Sequence, residues 1–420
     1  MLNFVSGLVN IADLRKKFLF TVGMIVLFRV GVHIPVPGID TVKLAGLFGG
    51  GNVLGFLDLF TGGAFMRFSI FAMGIVPYIN ASIIMQLLQV VVPQLEELAK
   101  EGDAGRKQIA SYTRYLTVVL AAFQAFGMSF WLRGVMVDGY SFLVFLLGTI
   151  ISLTAGSTLV MWFGELITER GIGNGASILI FVGIVSRIPS NISQTITLVR
   201  GGASFFGVLI LLLAFLAMIV AIVLVQEAQR RIPVQYAKRV VGRKMYGGQS
   251  TYIPMRINQG GVIPIIFASS VLMFPATLAQ FIPNPAVQSF VQLFSPSGSL
   301  YMFLYFGLIF FFTYFYTAIT FNPTELAENI KKYGGFVLGI RPGKPTAQYL
   351  EYVITRLTLV GALFLSLVAI VPTIVESLTH ITSFQGLGST ALLIMVGVAL
   401  DLVRQIQTHL VTRQYEGIIA

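Results

Sequence analysis

Cysteine is absent from the 420 residues, histidine occurs three times and tryptophan twice. Without cysteine the chain can form no disulfide, thiolate metal site or thiol nucleophile. His33, His380 and His409 are far apart and fall at the ends of apolar runs or in loops. No HExxH pattern, no pair of acids within an apolar run and no GKS or GKT phosphate loop occurs. Catalysis, ATP hydrolysis and a resident cofactor therefore find no support. Charge is scarce as well. Only 11% of residues are charged, against about 25% in a soluble domain. With 56% hydrophobic residues and a mean hydropathy of +0.85, the composition is that of an integral membrane protein.

Apolar runs long enough to enter a bilayer lie near 18–34, 71–92, 113–132, 142–164, 174–189, 204–225, 261–282, 302–320, 356–376 and 389–404. The fifth is short at a helical rise of about 1.5 Å per residue. Arg15, Lys16 and Lys17 precede the first run, and no small-residue cleavage site follows it, which argues against a cleaved signal peptide. Residues 1–14 fit either a short helix on the membrane surface or a frayed tail. Leu54–Arg67 is apolar but too short to cross, and glycines interrupt and precede it. Such a half-inserted helix requires surrounding protein or a cavity.

Lysine and arginine concentrate in alternate loops. With the N-terminus inside, 22 of the 28 fall on one side, chiefly in residues 226–261 and 321–356. The opposite loops hold Lys43, Arg133, Arg187 and Arg200. This asymmetry places both termini in the cytoplasm. Ten spans divide into five and five. Because five is odd, related halves would have opposite topology and could enclose a central path. No sequence repeat between the halves is evident, so the division is architectural. The expected fold is an all-α, multi-span membrane protein of ten helices in two pseudo-symmetric inverted halves. Residues 1–17 form a surface segment, 18–189 the first half, 190–203 an external connection, 204–404 the second half and 405–420 a cytoplasmic tail.

Few residues within this frame suggest chemistry. Gly171-Ile172-Gly173-Asn174-Gly175 matches neither a dinucleotide nor a phosphate-loop spacing, and fits a tight turn and close packing at a helix start. Arg29 is the one clear charge within a span. It fits an ion relay or, since the other spans offer no acidic partner, a side chain snorkelling outward. Glu165 and Glu376 fall at span ends, at the membrane interface. Arg230, Arg231, Lys238, Arg239, Arg243, Lys244 and Arg256 are interleaved with Tyr236, Tyr246 and Tyr252. Basic residues with aromatics suit RNA or an acidic protein surface, although charge that merely sets topology would look the same. Gly339-Ile340-Arg341-Pro342-Gly343-Lys344-Pro345 sets Arg341 on a stiff tip, and two long basic loops on one face favour docking.

Seven motifs carry a family likeness: GIVPYINASIIMQLL (74–88), ERGIGNGASILIF (169–181), RRIPVQYAKR (230–239), INQGGVIPIIFASS (257–270), GIRPGKPTAQYL (339–350), RLTLVGALFL (356–365) and ALLIMVGVALD (391–401). In order and nearly end to end, they resemble the SecY protein-translocation channel family, its bacterial form above all. The resemblance implies an hourglass with a lateral opening to lipid, closed at its waist by a ring of branched apolar residues. The ring positions are Ile79, Ile83, Ala176, Ile180, Ile266 and Ile394, where Ala176 departs from the usual bulky residue. It makes residues 54–67 a plug, with Leu57, Phe60, Phe65 and Arg67 as its residues. Gln124 and Asn258 are candidates for polar groups at the lateral gate, by position. The implied docking residues for a motor and a ribosome are Arg230, Arg231, Lys238, Arg239, Arg243, Lys244, Arg341 and Lys344. The implied partners are the small membrane subunits SecE and SecG, the motor ATPase SecA, the ribosome through its RNA, unfolded chains bearing signal sequences, and membrane lipid.

The residues themselves agree with the ring. Ile79 and Ile83, and likewise Ala176 and Ile180, are four apart and share a helix face. An apolar constriction excludes ions by dewetting. A secondary transporter of small solutes would need a buried charged site, for which Arg29 alone is thin evidence. An intramembrane enzyme would need a convergent catalytic pair, and none is found.

Overall fold

A computed structural model describes residues 11–40, 43–44, 58, 61–201, 204–236, 239–241, 244–246, 250–279, 298–379 and 389–419. With no water in the hydrocarbon to satisfy backbone groups, the apolar runs coil into helices. Each of the ten expected spans coincides with a helical segment. In the first half these are α1 (Ala12–Gly31), α2 (Val76–Val91), α4 (Asp103–Trp131), α5 (Phe142–Arg170) and α6 (Gly175–Val185). In the second half they are α8 (Phe205–Glu227), α9 (Ile263–Ala279), α10 (Ser299–Thr320), α12 (Lys344–Thr379) and α13 (Ser389–Ile419). Among the described residues, seven helices are long and apolar enough to cross a membrane on their own. The count is eight if α2 is taken together with α3 (Pro93–Lys100), which follows at a 100° bend. The bend falls at extended Val92 before Pro93, as the steric demands of proline on its neighbour require. Outward faces are apolar, with Leu147, Ile151, Phe206, Leu213, Leu224 and Phe303 all exposed in the isolated chain.

Two features differ in extent from the sequence reading. The short fifth span continues, after a break at Ser186 and Arg187, into α7 (Ile188–Arg200), so much of the expected external connection is helical. The second span begins later than expected, because residues 62–75 form successive turns before α2. The surface helix considered for the N-terminus falls largely outside the described residues, and α1 starts at Ala12.

Small residues set the closest helix contacts. A Cβ at Gly156 would collide with the Ile70 carbonyl, and one at Gly175 with the Gly164 carbonyl. These backbones approach closely because neither position carries a side chain. Within the first half, α4 packs on α2 and α5, and α5 on α1 and α6. In the second, α12 packs on α8 and α10, while α9 packs on α10 and α13 on α8. The halves meet where α9 lies against α2 and where α13 lies against α6.

The two long basic loops fold together. The central strand β1 (Gln229–Tyr236) pairs antiparallel with β4 (Ser250–Arg256) and with β5 (Gly335–Val337). Between β1 and β4, β2 (Arg239–Val241) pairs with β3 (Lys244–Tyr246) as a small hairpin. Ile232 and Val234 point alternately from β1 into a separate apolar cluster with Met255, Val337, Leu350 and Val353. Ala327 and Ile330 of α11 (Pro323–Lys332) close that cluster. Strands are thus confined to the loops, and the membrane part is helical.

The candidate waist, plug and basic face

All six expected ring positions gather on the inner helices. Ile79 and Ile83 lie on α2, Ala176 and Ile180 on α6, Ile266 on α9 and Ile394 on α13. The five isoleucines belong to one apolar cluster and are at most 8% exposed. Ala176 is partly buried against the same cluster. Because α2 packs on α9, α9 on α13 and α13 on α6, the helices that carry these side chains link the two halves. Dense packing of branched apolar groups of this kind excludes ions by dewetting.

The glycine-rich loop 171–175 braces one end of this arrangement. Asn174 caps α6, its side chain accepting a hydrogen bond from the Ser177 amide at 3.1 Å. The Ile172 amide donates to Thr21 Oγ1 at 3.1 Å, which fixes the loop to α1. Ile172 also packs with Leu14 and Ile406, joining the first and last spans.

Of the expected plug residues, Leu57 and Phe60 lie outside the described residues. Phe65 is fully buried, with Ala64 and Phe68 beside it, whereas Arg67 is exposed. Residues 62–67 turn rather than continue a helix. Asp58 organises the turn. Its Oδ1 accepts from the Met66 amide at 2.7 Å, and its carbonyl accepts from the Gly63 amide at 3.1 Å. Its carboxylate also pairs with Arg187, which follows the end of α6. Arg29 does not snorkel outward. Its Nη1 donates to the Gly62 carbonyl at 2.9 Å and to Ser186 Oγ at 3.1 Å. The outward reading fails because a carbonyl at a turn and a hydroxyl at a helix end supply the acceptors that acidic residues do not. Sequence reasoning missed Asp58 and Arg187 as site residues; the available signal was a lone carboxylate inside the apolar run Leu54–Arg67.

The two gate candidates are not brought together by a hydrogen bond among the described residues. Gln124 is half-buried on α4. Asn258 is buried in the turn before α9, its Nδ2 donating to the Gly261 carbonyl at 2.8 Å. Of the two charges expected at span ends, Glu165 accepts from Arg114 Nε at 2.8 Å and so ties α5 to α4.

On the folded loops, Arg230 and Arg231 are exposed on β1, and the Arg231 guanidinium lies 4.8 Å from the centre of the Tyr252 ring. Arg239 and Lys244 stand on the hairpin, while Lys238 and Arg243 lie outside the described residues. Arg341 and Lys344 are exposed at the second tip, which turns through Gly339 and Gly343, both at positive φ. The Arg341 carbonyl accepts from Thr346 Oγ1 at 2.9 Å, anchoring the tip to the start of α12. Charged side chains on a sheet and a braced turn form a presented surface rather than a loose tail.

The chain is 49% identical over 418 residues to the protein translocase subunit SecY of Synechococcus elongatus, covering 97% of this chain and 95% of that one. The solved structure presented as "The structure of a protein conducting channel" superposes with a TM-score of 0.67 at 16% identity, over 95% of this chain and 93% of its own. A second, describing how the plug domain of the SecY protein stabilises the closed state and maintains a membrane seal, gives 0.66 at 16% identity over the same shares. At such low identity these two show the fold alone. The SecY family model matches residues 69–403, and with that match and the near full-length relative the chain belongs to the SecY family.

Proposed function

We propose that this chain is the channel-forming subunit of a general secretory translocon. It passes unfolded secretory polypeptides across the membrane and releases apolar segments sideways into lipid. The observation that carries this reading is that isoleucines from four helices and both halves belong to one apolar cluster, which on this reading closes the waist. Such a seal blocks ions yet can part around a chain, since each side chain contributes only dispersion contacts. Lateral release follows from partition, because a segment of about 20 apolar residues prefers hydrocarbon to water. The second, third, seventh and eighth spans, α2, α4, α9 and α10, line the proposed gate, with Gln124 and Asn258 as its polar groups.

The chain itself supplies no energy-transducing site in this reading, so the driving force comes from outside. Arg230, Arg231, Arg341 and Lys344 present positive charge on the folded loops, with Lys238, Arg239, Arg243 and Lys244 in the same sequence run as the first two. That surface suits an acidic motor ATPase, here SecA, or ribosomal RNA phosphates. SecE and SecG are the expected small membrane partners. The lysine and arginine asymmetry supports a bacterial cytoplasmic membrane location with both termini in the cytoplasm. A small-solute transporter has less support, because among the described residues Asp58 pairs with Arg187 and Arg29 is held by the Gly62 carbonyl and the Ser186 hydroxyl.

Reconstitution tests the reading. Vesicles containing the chain with its small subunits should import a secretory precursor when motor and ATP are added. Import that is equal in vesicles lacking the chain would overturn it.

A further inference from the structure

Plug retention demands an explanation beyond apolar packing. The described plug turn is held by polar groups from two other parts of the fold, each at the same end of the molecule. Asp58 pairs with Arg187 after α6. One residue earlier, Ser186 shares Arg29 Nη1 with the Gly62 carbonyl, four residues after Asp58. Gly62 itself lies so close to α6 that an added Cβ would stand 2.8 Å from Gly183 Cα and 3.0 Å from Arg29 Nη1. The plug turn, the end of α6 and the outer part of α1 therefore meet at one point, where the Asp58 carboxylate pairs with Arg187 and the Arg29 guanidinium holds the Gly62 carbonyl.

We propose that Asp58, Arg187 and Arg29 form an ionic latch that sets how readily the plug leaves the waist. This inference rests on the channel reading given above. Asp58 travels with the plug, whereas Arg187 and Arg29 stay with the two spans. Opening therefore separates a carboxylate from its guanidinium and strips Arg29 of the Gly62 carbonyl. Apolar contacts can reform elsewhere as a plug slides, but a buried ion pair cannot exchange its partner for hydrocarbon. The penalty for separation is large in a dry site and small once water enters. The latch accordingly resists the first displacement and offers little resistance afterwards, which makes release two-state rather than gradual. Removing one partner leaves the other charge buried and uncompensated, and so favours the released state.

The test uses the reconstituted complex in vesicles, measuring resting halide leak and precursor import on the same preparation. Asp58→Asn and Arg187→Gln should each raise resting leak by about tenfold or more, the response to a shift of about 1.4 kcal/mol in the closed-state preference. Arg187→Lys keeps the charge and should stay near wild type. The exchange Asp58→Arg with Arg187→Asp restores a pair of opposite charges and should bring leak back towards wild type. A merely misfolded single variant would not be rescued in this way. If the neutral variants assemble and import normally while leak stays at the wild-type level, the latch is refuted and the channel reading stands. If the singles leak but the exchange leaks equally, charge pairing is not the cause and the latch again fails. If wild-type vesicles import no precursor, the channel reading itself falls, and the latch with it.

Discussion

Arg404 Nη2 donates to Glu227 Oε1 at 2.9 Å and to the Gln226 carbonyl at 2.7 Å, binding the last span to the end of α8. Its Nε reaches the same carboxylate oxygen at 3.2 Å, so one planar guanidinium serves two acceptors on a neighbouring helix. Lysine cannot reproduce that fork. Because Glu227 is half exposed, the pair is screened and its contribution is modest. Arg404→Ala should lower stability by about 1 kcal/mol and Arg404→Lys by less. Thermal unfolding of the purified complex measures both, and unchanged melting in the alanine variant would show that the contact carries no weight.

Glycine content has a position-specific consequence. Gly175 has the Gly164 carbonyl where its Cβ would go, whereas Gly148 on α5 has nothing within 4 Å. Gly175→Ala should therefore destabilise by about 1–3 kcal/mol through forced separation of α5 and α6. Gly148→Ala should be neutral or stabilise by up to about 1 kcal/mol, since alanine is the better helix former. Equal melting temperatures for the two variants would contradict the packing described.

A polar residue in the ring should wet it. Ile394 is fully buried in the apolar cluster proposed as the waist, so Ile394→Asn places an amide where that constriction would exclude water. Resting ion leak should rise by about tenfold, the response to a shift of about 1.4 kcal/mol, while Ile394→Leu stays near wild type. Conductance across planar bilayers distinguishes the two outcomes, and a silent asparagine variant would remove Ile394 from the seal.

The exposed tip at Arg341 permits a cleaner separation of docking from gating. Arg341→Ala should weaken motor binding by about tenfold, the effect of losing one well-placed interface arginine. Resting leak should not change, because Arg341 is exposed on the loop before α12, outside the four helices that carry the proposed ring. Binding measured at two salt concentrations, with leak recorded in parallel, checks both halves of this statement.

Much of the membrane architecture was legible because hydrocarbon leaves the backbone few options. Each of the ten longer apolar runs contains a helix, and isoleucines four residues apart on α2 share a face as helical geometry requires. The loops were harder to read. The alternation in Gln229–Tyr236 that drives Ile232 and Val234 inward is a strand signal, but its core partners Val337 and Leu350 lie about a hundred residues further on. No local pattern announces that pairing. Arg29 misled for a related reason. A charge in a span was weighed against acidic side chains, while its actual acceptors are the Gly62 carbonyl and the Ser186 hydroxyl, visible only once the chain is folded. The fifth span reads as short because the helix breaks at Ser186 and Arg187, where Ser186 accepts from Arg29 and Arg187 pairs with Asp58.

The central claim is that a polypeptide passes through the apolar ring. A photo-crosslinking amino acid at Ile83, which is buried on α2 and belongs to the proposed ring, tests it most directly. A secretory chain stalled during transport should crosslink to this position, and only when it carries a functional signal sequence. Crosslinks to lipid instead, with none to the stalled chain, would mean that Ile83 faces outward and that the waist lies elsewhere.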